Sequence, residues 1–156
     1  MKTEQTSPQW CNIVLLIEDN FEDIELFRLA VAQSGCACKV IAINFVREAI
    51  KYLGGILEYA DKTRFPKPTL IVLDLSLPGM DGLEFLLWAK GELMGTIPPI
   101  VVLSSSQLEL NRILTKKFGA KAYFVKSANL QENIATVKEL LLFGIPSSSS
   151  AQAVKN

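Results

Sequence analysis

The sequence predicts a single α/β domain: a five-stranded parallel sheet, doubly wound by helices on both faces. Five short apolar runs alternate with amphipathic stretches, the pattern of strand and covering helix repeated. The runs are almost continuously hydrophobic, as suits strands buried on both faces. Three of them end in charge: Glu18-Asp19, Asp74 and Lys126 each follow an apolar run. Open α/β sheets place their ligand chemistry beyond the C-terminal ends of the strands. A length of 156 residues fits one core and is short for two domains.

The strands are expected at 12–17, 39–43, 70–73, 100–103 and 122–125. The first helix spans 21–34, with Ile24, Phe27 and Val31 at core spacing and Gly35 closing it. The second starts near Asn44, a good capping residue, and runs through Ala49 and Leu53 to the break at Gly54-Gly55. Residues 56–69 read as extra connection, because Pro66 and Pro68 limit any helix there. Helices three to five are expected at 83–90, 108–118 with Gly119 as stop, and 130–143, where Asn129 and Glu132 form a capping pair. Residues 1–11 read as an N-terminal extension, 12–143 as the folded domain and the Ser-rich 144–156 as a disordered tail.

Sixteen basic and sixteen acidic residues balance, so no electrostatic footprint points to nucleic acid or an anionic membrane. No stretch resembles a signal peptide or a membrane span, and a soluble cytoplasmic protein is expected. Histidine is absent, which leaves carboxylates, hydroxyls and Lys to carry any chemistry. Cys11, Cys36 and Cys38 are odd in number and read as reduced, buried small hydrophobes.

Glu18, Asp19 and Asp74 at one sheet edge would repel one another unless a cation shares the site. Hard oxygen donors in a small hydrated cluster suit Mg²⁺. With a metal beside it, Asp74 is placed to attack phosphorus and become an aspartyl phosphate. Lys126 and Ser104, at two other strand tips, offer the ammonium and the hydroxyl that stabilise a transferring phosphoryl group.

These residues resemble the response-regulator receiver domains of two-component signalling, over about residues 12–143. Asp74 matches the family's phospho-acceptor, in the stretch Asp-Leu-Ser-Leu-Pro-Gly-Met-Asp-Gly. Glu18-Asp19 matches the acidic pair, Ser104 and Tyr123 the hydroxyl and aromatic switch residues, and Lys126 the Lys. Asp74 to Ser104 is 30 positions and Ser104 to Lys126 is 22, both usual spacings. Asp19 to Asp74, at 55, is lengthened by an insertion over 54–69. That insertion, the Ser104-Ser105-Ser106 run and Lys126-Ser127-Ala128-Asn129-Leu130 look like the single-domain regulators that partner cyanobacterial phytochrome histidine kinases.

The resemblance implies a flavodoxin-like fold with strand order 2-1-3-4-5 and phosphorylation of Asp74 by a phytochrome-type sensor histidine kinase. It implies Mg²⁺ held by Asp19, Asp74 and the backbone carbonyl of Ser76, with Glu18 acting through water. With so little chain after helix five, output is expected through protein contacts rather than an output domain. A homodimer is expected through helix four, strand five and helix five, where Leu130, Ile134, Val137 and Leu141 face the core and their neighbours lie outside, in one patch with Phe124. Two departures stand out: Ser104 replaces the commoner Thr, and Ser127 the usual Pro after the Lys. The Lys126-Ser127 bond is nevertheless expected to be cis, since packed elements pin both sides of the turn. An alternative is an Asp-nucleophile phosphatase of the haloacid-dehalogenase type, which needs a second Asp where Ser76 stands. An inactive pseudo-receiver would have lost an acidic residue or the Lys, and neither is lost.

Overall fold

The computed structural model describes residues 12–79, 81–92 and 95–145. Its elements alternate as β1 (Asn12–Ile17), α1 (Phe21–Ser34), β2 (Cys38–Ile43), α2 (Val46–Gly54), β3 (Leu70–Leu73), α3 (Gly82–Gly91), β4 (Ile100–Ser104), α4 (Glu109–Lys117), β5 (Ala122–Val125) and α5 (Leu130–Leu141). Short 3-10 turns lie at Leu57–Ala60 and Leu142–Gly144. All strand pairs are parallel, in the expected order β2-β1-β3-β4-β5.

Alternate residues of each central strand feed two cores, as period-two geometry requires. Val14, Leu16, Val72 and Val101 pack with Phe27, Ala30, Val31, Val137 and Leu140 from α1 and α5. Leu15, Ile17, Ile71, Leu73 and Val102 pack on the other face with Ala49 and Tyr52 of α2 and Phe85 and Leu86 of α3. The register pairs Ile17 with Leu73, Leu73 with Val102 and Ser104 with Val125. Glu18, Asp74, Ser104 and Lys126 therefore emerge along one edge of the sheet.

Several local expectations are corrected. The residue preceding α2 is Phe45, in extended conformation and without a side-chain cap bond, so Asn44 is not the cap. Helix α5 ends at Leu141, and Leu140, expected outside, is fully buried. A 3-10 turn follows over Leu142–Gly144, and Gly144 is buried where a Cβ would collide with the Asn12 side chain. The remainder of the expected tail, 146–156, and the extension 1–11 with Cys11 lie outside the described residues. Cys36 and Cys38 are half-buried rather than buried.

Nor is the 56–69 insertion plain connection. Tyr59 and Phe65 pack with Tyr52 of α2 as an aromatic trio, with ring centroids 5.0 to 6.0 Å apart. The Tyr52 hydroxyl donates to Pro66 O at 2.7 Å, tying the loop to α2. No helix among the described residues is long and apolar enough to cross a membrane.

Candidate functional site

Asp74 follows β3 directly, and its backbone N–H donates to Ile17 O at 3.0 Å, continuing the ladder by one bond. That bond locks the base of the carboxylate against the β1 tip, where Glu18 begins. Glu18 and Asp74 are buried and Asp19 is exposed. One carboxylate oxygen from each of the three lies within 4.8 Å of the others. The loop after Asp74 folds back so that Ser76 N reaches Asp74 Oδ1 at 3.4 Å.

The start of α3 presses on the same loop. A Cβ on Gly82 would stand 2.6 Å from Asp74 O and 2.8 Å from Leu75 Cα, so only glycine fits there. Asp81 and Glu84 hold this helix start in a reciprocal capping box, each side chain accepting the other's backbone N–H at 2.9 Å.

Lys126 enters from beyond β5 and reaches two of these carboxylates, together with Asp23 of α1. Its Nζ lies 2.6 Å from Glu18 Oε2, 2.9 Å from Asp23 Oδ2 and 3.4 Å from Asp74 Oδ2. Burial alone would lower the Lys126 pKa, but hydrogen bonds to Glu18 and Asp23 and the Asp74 charge outweigh it and hold the ammonium above its ordinary value. The Glu18 pKa is raised as well, which for a carboxyl favours the neutral form: burial outweighs the opposing bonds from Lys126 and the Asn20 N–H.

No peptide bond among the described residues is cis, so the expected cis Lys126-Ser127 bond is not found. A cis bond before a non-proline residue costs about 3 to 4 kcal/mol, and the four-carbon Lys stem reaches the site without it. The turn is held by side chains instead. Asn133 Nδ2 donates to Ser127 O at 2.7 Å, the Asn129 N–H donates to Ser127 Oγ at 3.0 Å, and the Ser127 hydroxyl pairs with Glu132.

Ser104 ends β4, fully buried. Its Oγ accepts the Ser106 N–H at 3.3 Å, and Ser106 O accepts the Tyr123 hydroxyl at 2.7 Å. Ser106 Oγ also accepts from Asn111 Nδ2 on α4 at 2.8 Å, and the Arg112 guanidinium lies 4.8 Å from the Tyr123 ring centroid. The two expected switch residues are thus joined through one loop residue.

The structure brings together Glu18, Asp19, Asp74 and Lys126, and sets Ser104 on the adjoining strand tip. Sequence reasoning missed Asp23, Ser106 and Gly82. Asp23 stands in the first turn of α1, where a carboxylate is expected without any partner. Ser106 and Gly82 carried only turn composition.

Similarities to known proteins agree with this geometry. The family model described as response regulator receiver domain matches residues 14–138. Response regulator Rcp1 of Synechocystis sp. is 30% identical over 92% of this chain and 93% of its own length. The Mn²⁺-bound form of Rcp1 superposes with a TM-score of 0.73 at 29% identity, covering 87% of this chain and 96% of that one. The phosphorylated cyanobacterial phytochrome response regulator RcpA gives a TM-score of 0.74 at 36% identity, covering 85% and 92%. The alkaline phosphatase synthesis transcriptional regulatory protein SphR of Synechococcus elongatus is 29% identical over 82% of this chain, which spans 48% of that protein.

Proposed function

Since the chain belongs to the response regulator receiver domain family, we propose that Asp74 is its phospho-acceptor and a sensor histidine kinase of the phytochrome type its phosphoryl donor. Receivers are signalling proteins that work by phosphorylation of an aspartate. The observation that carries the assignment is the convergence of Glu18, Asp19 and the Lys126 ammonium on the Asp74 carboxylate. The similarity to RcpA and Rcp1 supports a phytochrome-type donor.

In the transfer, an Asp74 carboxylate oxygen attacks phosphorus in line with the donor's histidine nitrogen. An O–P bond forms as the N–P bond breaks, and the leaving nitrogen keeps the electron pair and takes a proton. Lys126 neutralises one phosphoryl oxygen and the Ser104 hydroxyl donates to another. These groups all belong to this chain, so it catalyses its own phosphorylation and, with water as attacking group, its own dephosphorylation.

The donor set fits a hard cation: three carboxylates share a small span, and burial of Glu18 makes its charge costly without one. Asp19, Asp74 and the Ser76 carbonyl would hold Mg²⁺, with Glu18 acting through water. Bound there, Mg²⁺ supplies positive charge for the phosphoryl oxygens.

Phosphorylation draws Ser104 toward the phosphoryl group, and the Ser106 link carries that pull to Tyr123 and α4. The surface so altered includes exposed Leu108, Leu110 and Ile113 before and on α4, and Leu142 and Phe143 after α5, with Phe124 edge-on to Phe143 at 6.3 Å. This is the face we assign to a homodimer, in the cytoplasm, where the kinase is met.

Acetyl phosphate with Mg²⁺ tests the acceptor assignment by intact mass. One phosphoryl group is expected on the native protein and none on Asp74→Asn; labelling that persists in the variant would overturn it.

A further inference from the structure

We infer that Asp23 is a positioning residue for Lys126: it parks the ammonium on the α1 side of the site until a phosphoryl group on Asp74 draws it across. This rests on the reading of Asp74 as phospho-acceptor and of Lys126 as a phosphoryl contact.

Lys126 is shared among three carboxylates, and the sharing is uneven. Nζ is 2.9 Å from Asp23 Oδ2 and 3.4 Å from Asp74 Oδ2, so the ammonium hydrogen-bonds Asp23 and stands off from the reacting carboxylate. Glu18, at 2.6 Å, acts as the pivot. Its side chain is 3% exposed and Asp74's is 6%, while Asp23's is 40% exposed. Water can therefore solvate Asp23 when Lys126 leaves, but cannot reach the other two so freely. The Asp23 contact is the one the site can release at least cost.

The helix makes that release easier. Asp23 lies in the first turn of α1, and its backbone N–H is fixed by the Asn20 cap at 2.9 Å. A carboxylate there is stabilised by the helix N-terminus whether or not Lys126 is present. Asp23 also cannot follow the ammonium, because Ile24 and Phe27 anchor α1 in the core. A phosphoryl group on Asp74 adds negative charge on the far side of Lys126, and the flexible Lys stem swings toward it about Glu18.

A double-mutant cycle reads this directly. Asp23→Asn should raise the rate constant for phosphorylation by acetyl phosphate at saturating Mg²⁺ about fivefold. In a Lys126→Gln background the same change should alter the rate by less than about twofold. An equal gain in both backgrounds, as from simple removal of a surface charge, overturns the proposal; so does no gain in either. Asp23→Glu, which keeps the charge on a longer arm, should give a rate between native and Asp23→Asn. If Lys126→Gln is too slow to measure or poorly folded, NMR of the Lys126 Nζ resonance decides. Beryllofluoride, a phosphoryl mimic, should shift it in the native protein, and in Asp23→Asn it should already lie part-way along that shift. An unmoved resonance overturns the proposal. Failure of the native protein to take up any phosphoryl group would sink the Asp74 assignment instead.

Discussion

Helices α1 and α4 stand beside the same site and are held in opposite ways. Along α1, Ile24, Phe27, Ala30 and Val31 are buried against β1, β3 and α5. In α4 the one buried residue is Thr115, while Leu110 is 61% and Ile113 55% exposed. What ties α4 down is polar: Asn111 to Ser106, Arg112 over Tyr123, and Lys90 Nζ to Lys117 O at 3.2 Å. Apolar packing acts as a jigsaw that resists displacement. Single hydrogen bonds contribute about 0.5 to 1.5 kcal/mol each and are readily exchanged. The acidic pair and Asp23 thus sit beside an apolar-packed helix, and Ser104 opens onto one held mainly by exchangeable polar contacts.

Truncations should show the difference between the two helices most visibly. Phe27→Ala should cost about 3 to 5 kcal/mol in urea denaturation, through the cavity left beneath α1. Ile113→Ala, on the exposed face of α4, should change stability by no more than about 0.5 kcal/mol. A comparable loss at both positions would mean that α4 is packed more firmly than its exposure indicates. Next in size, Tyr123→Phe removes the hydroxyl that bonds Ser106 O and should cost about 1 kcal/mol. Phosphorylation of that variant should still proceed while its effect on partner or dimer affinity weakens; full coupling in Tyr123→Phe would show that the Ser106 link is idle.

The smallest expected effect sharpens the picture of the α1 side of the site. Burial raises the Glu18 pKa above 4.5, so the folded protein keeps this proton where the unfolded chain has lost it. The stability this contributes is complete below pH 4.5 and is lost as pH rises through the folded value. In chelator, Glu18→Gln should flatten that decline, and Mg²⁺ should reduce it in the native protein by favouring the ionised site. An identical pH slope in the native protein and Glu18→Gln would remove Glu18 as its source.

Most of the fold was legible because apolar runs mark the strands and charges mark their tips. Asp74, Glu18-Asp19 and Lys126 announced themselves by ending such runs. Asp23 did not, since a carboxylate in the first turn of a helix also suits the helix dipole and needs no partner. The expected cis bond carried over a geometry that belongs to proline, and Ser127 instead holds the turn through its side chain and Asn133. Leu140 was misplaced because a single helical stripe was assumed. In fact α5 meets α1 and the start of β1 together, where Asn12 Nδ2 donates to Leu141 O at 3.1 Å. The aromatic trio stayed hidden because Pro66 and Pro68 read as loop punctuation, while the packing partner, Tyr52, lies in the preceding helix.

Hydrogen exchange with and without beryllofluoride and Mg²⁺ tests the difference between the two helices most directly. Changes in protection should concentrate over residues 104–117, from the Ser104 loop through α4, while the amides of α1 from Ile24 to Val31 stay as they were. Changes spread evenly over both helices, or confined to α1, would contradict it.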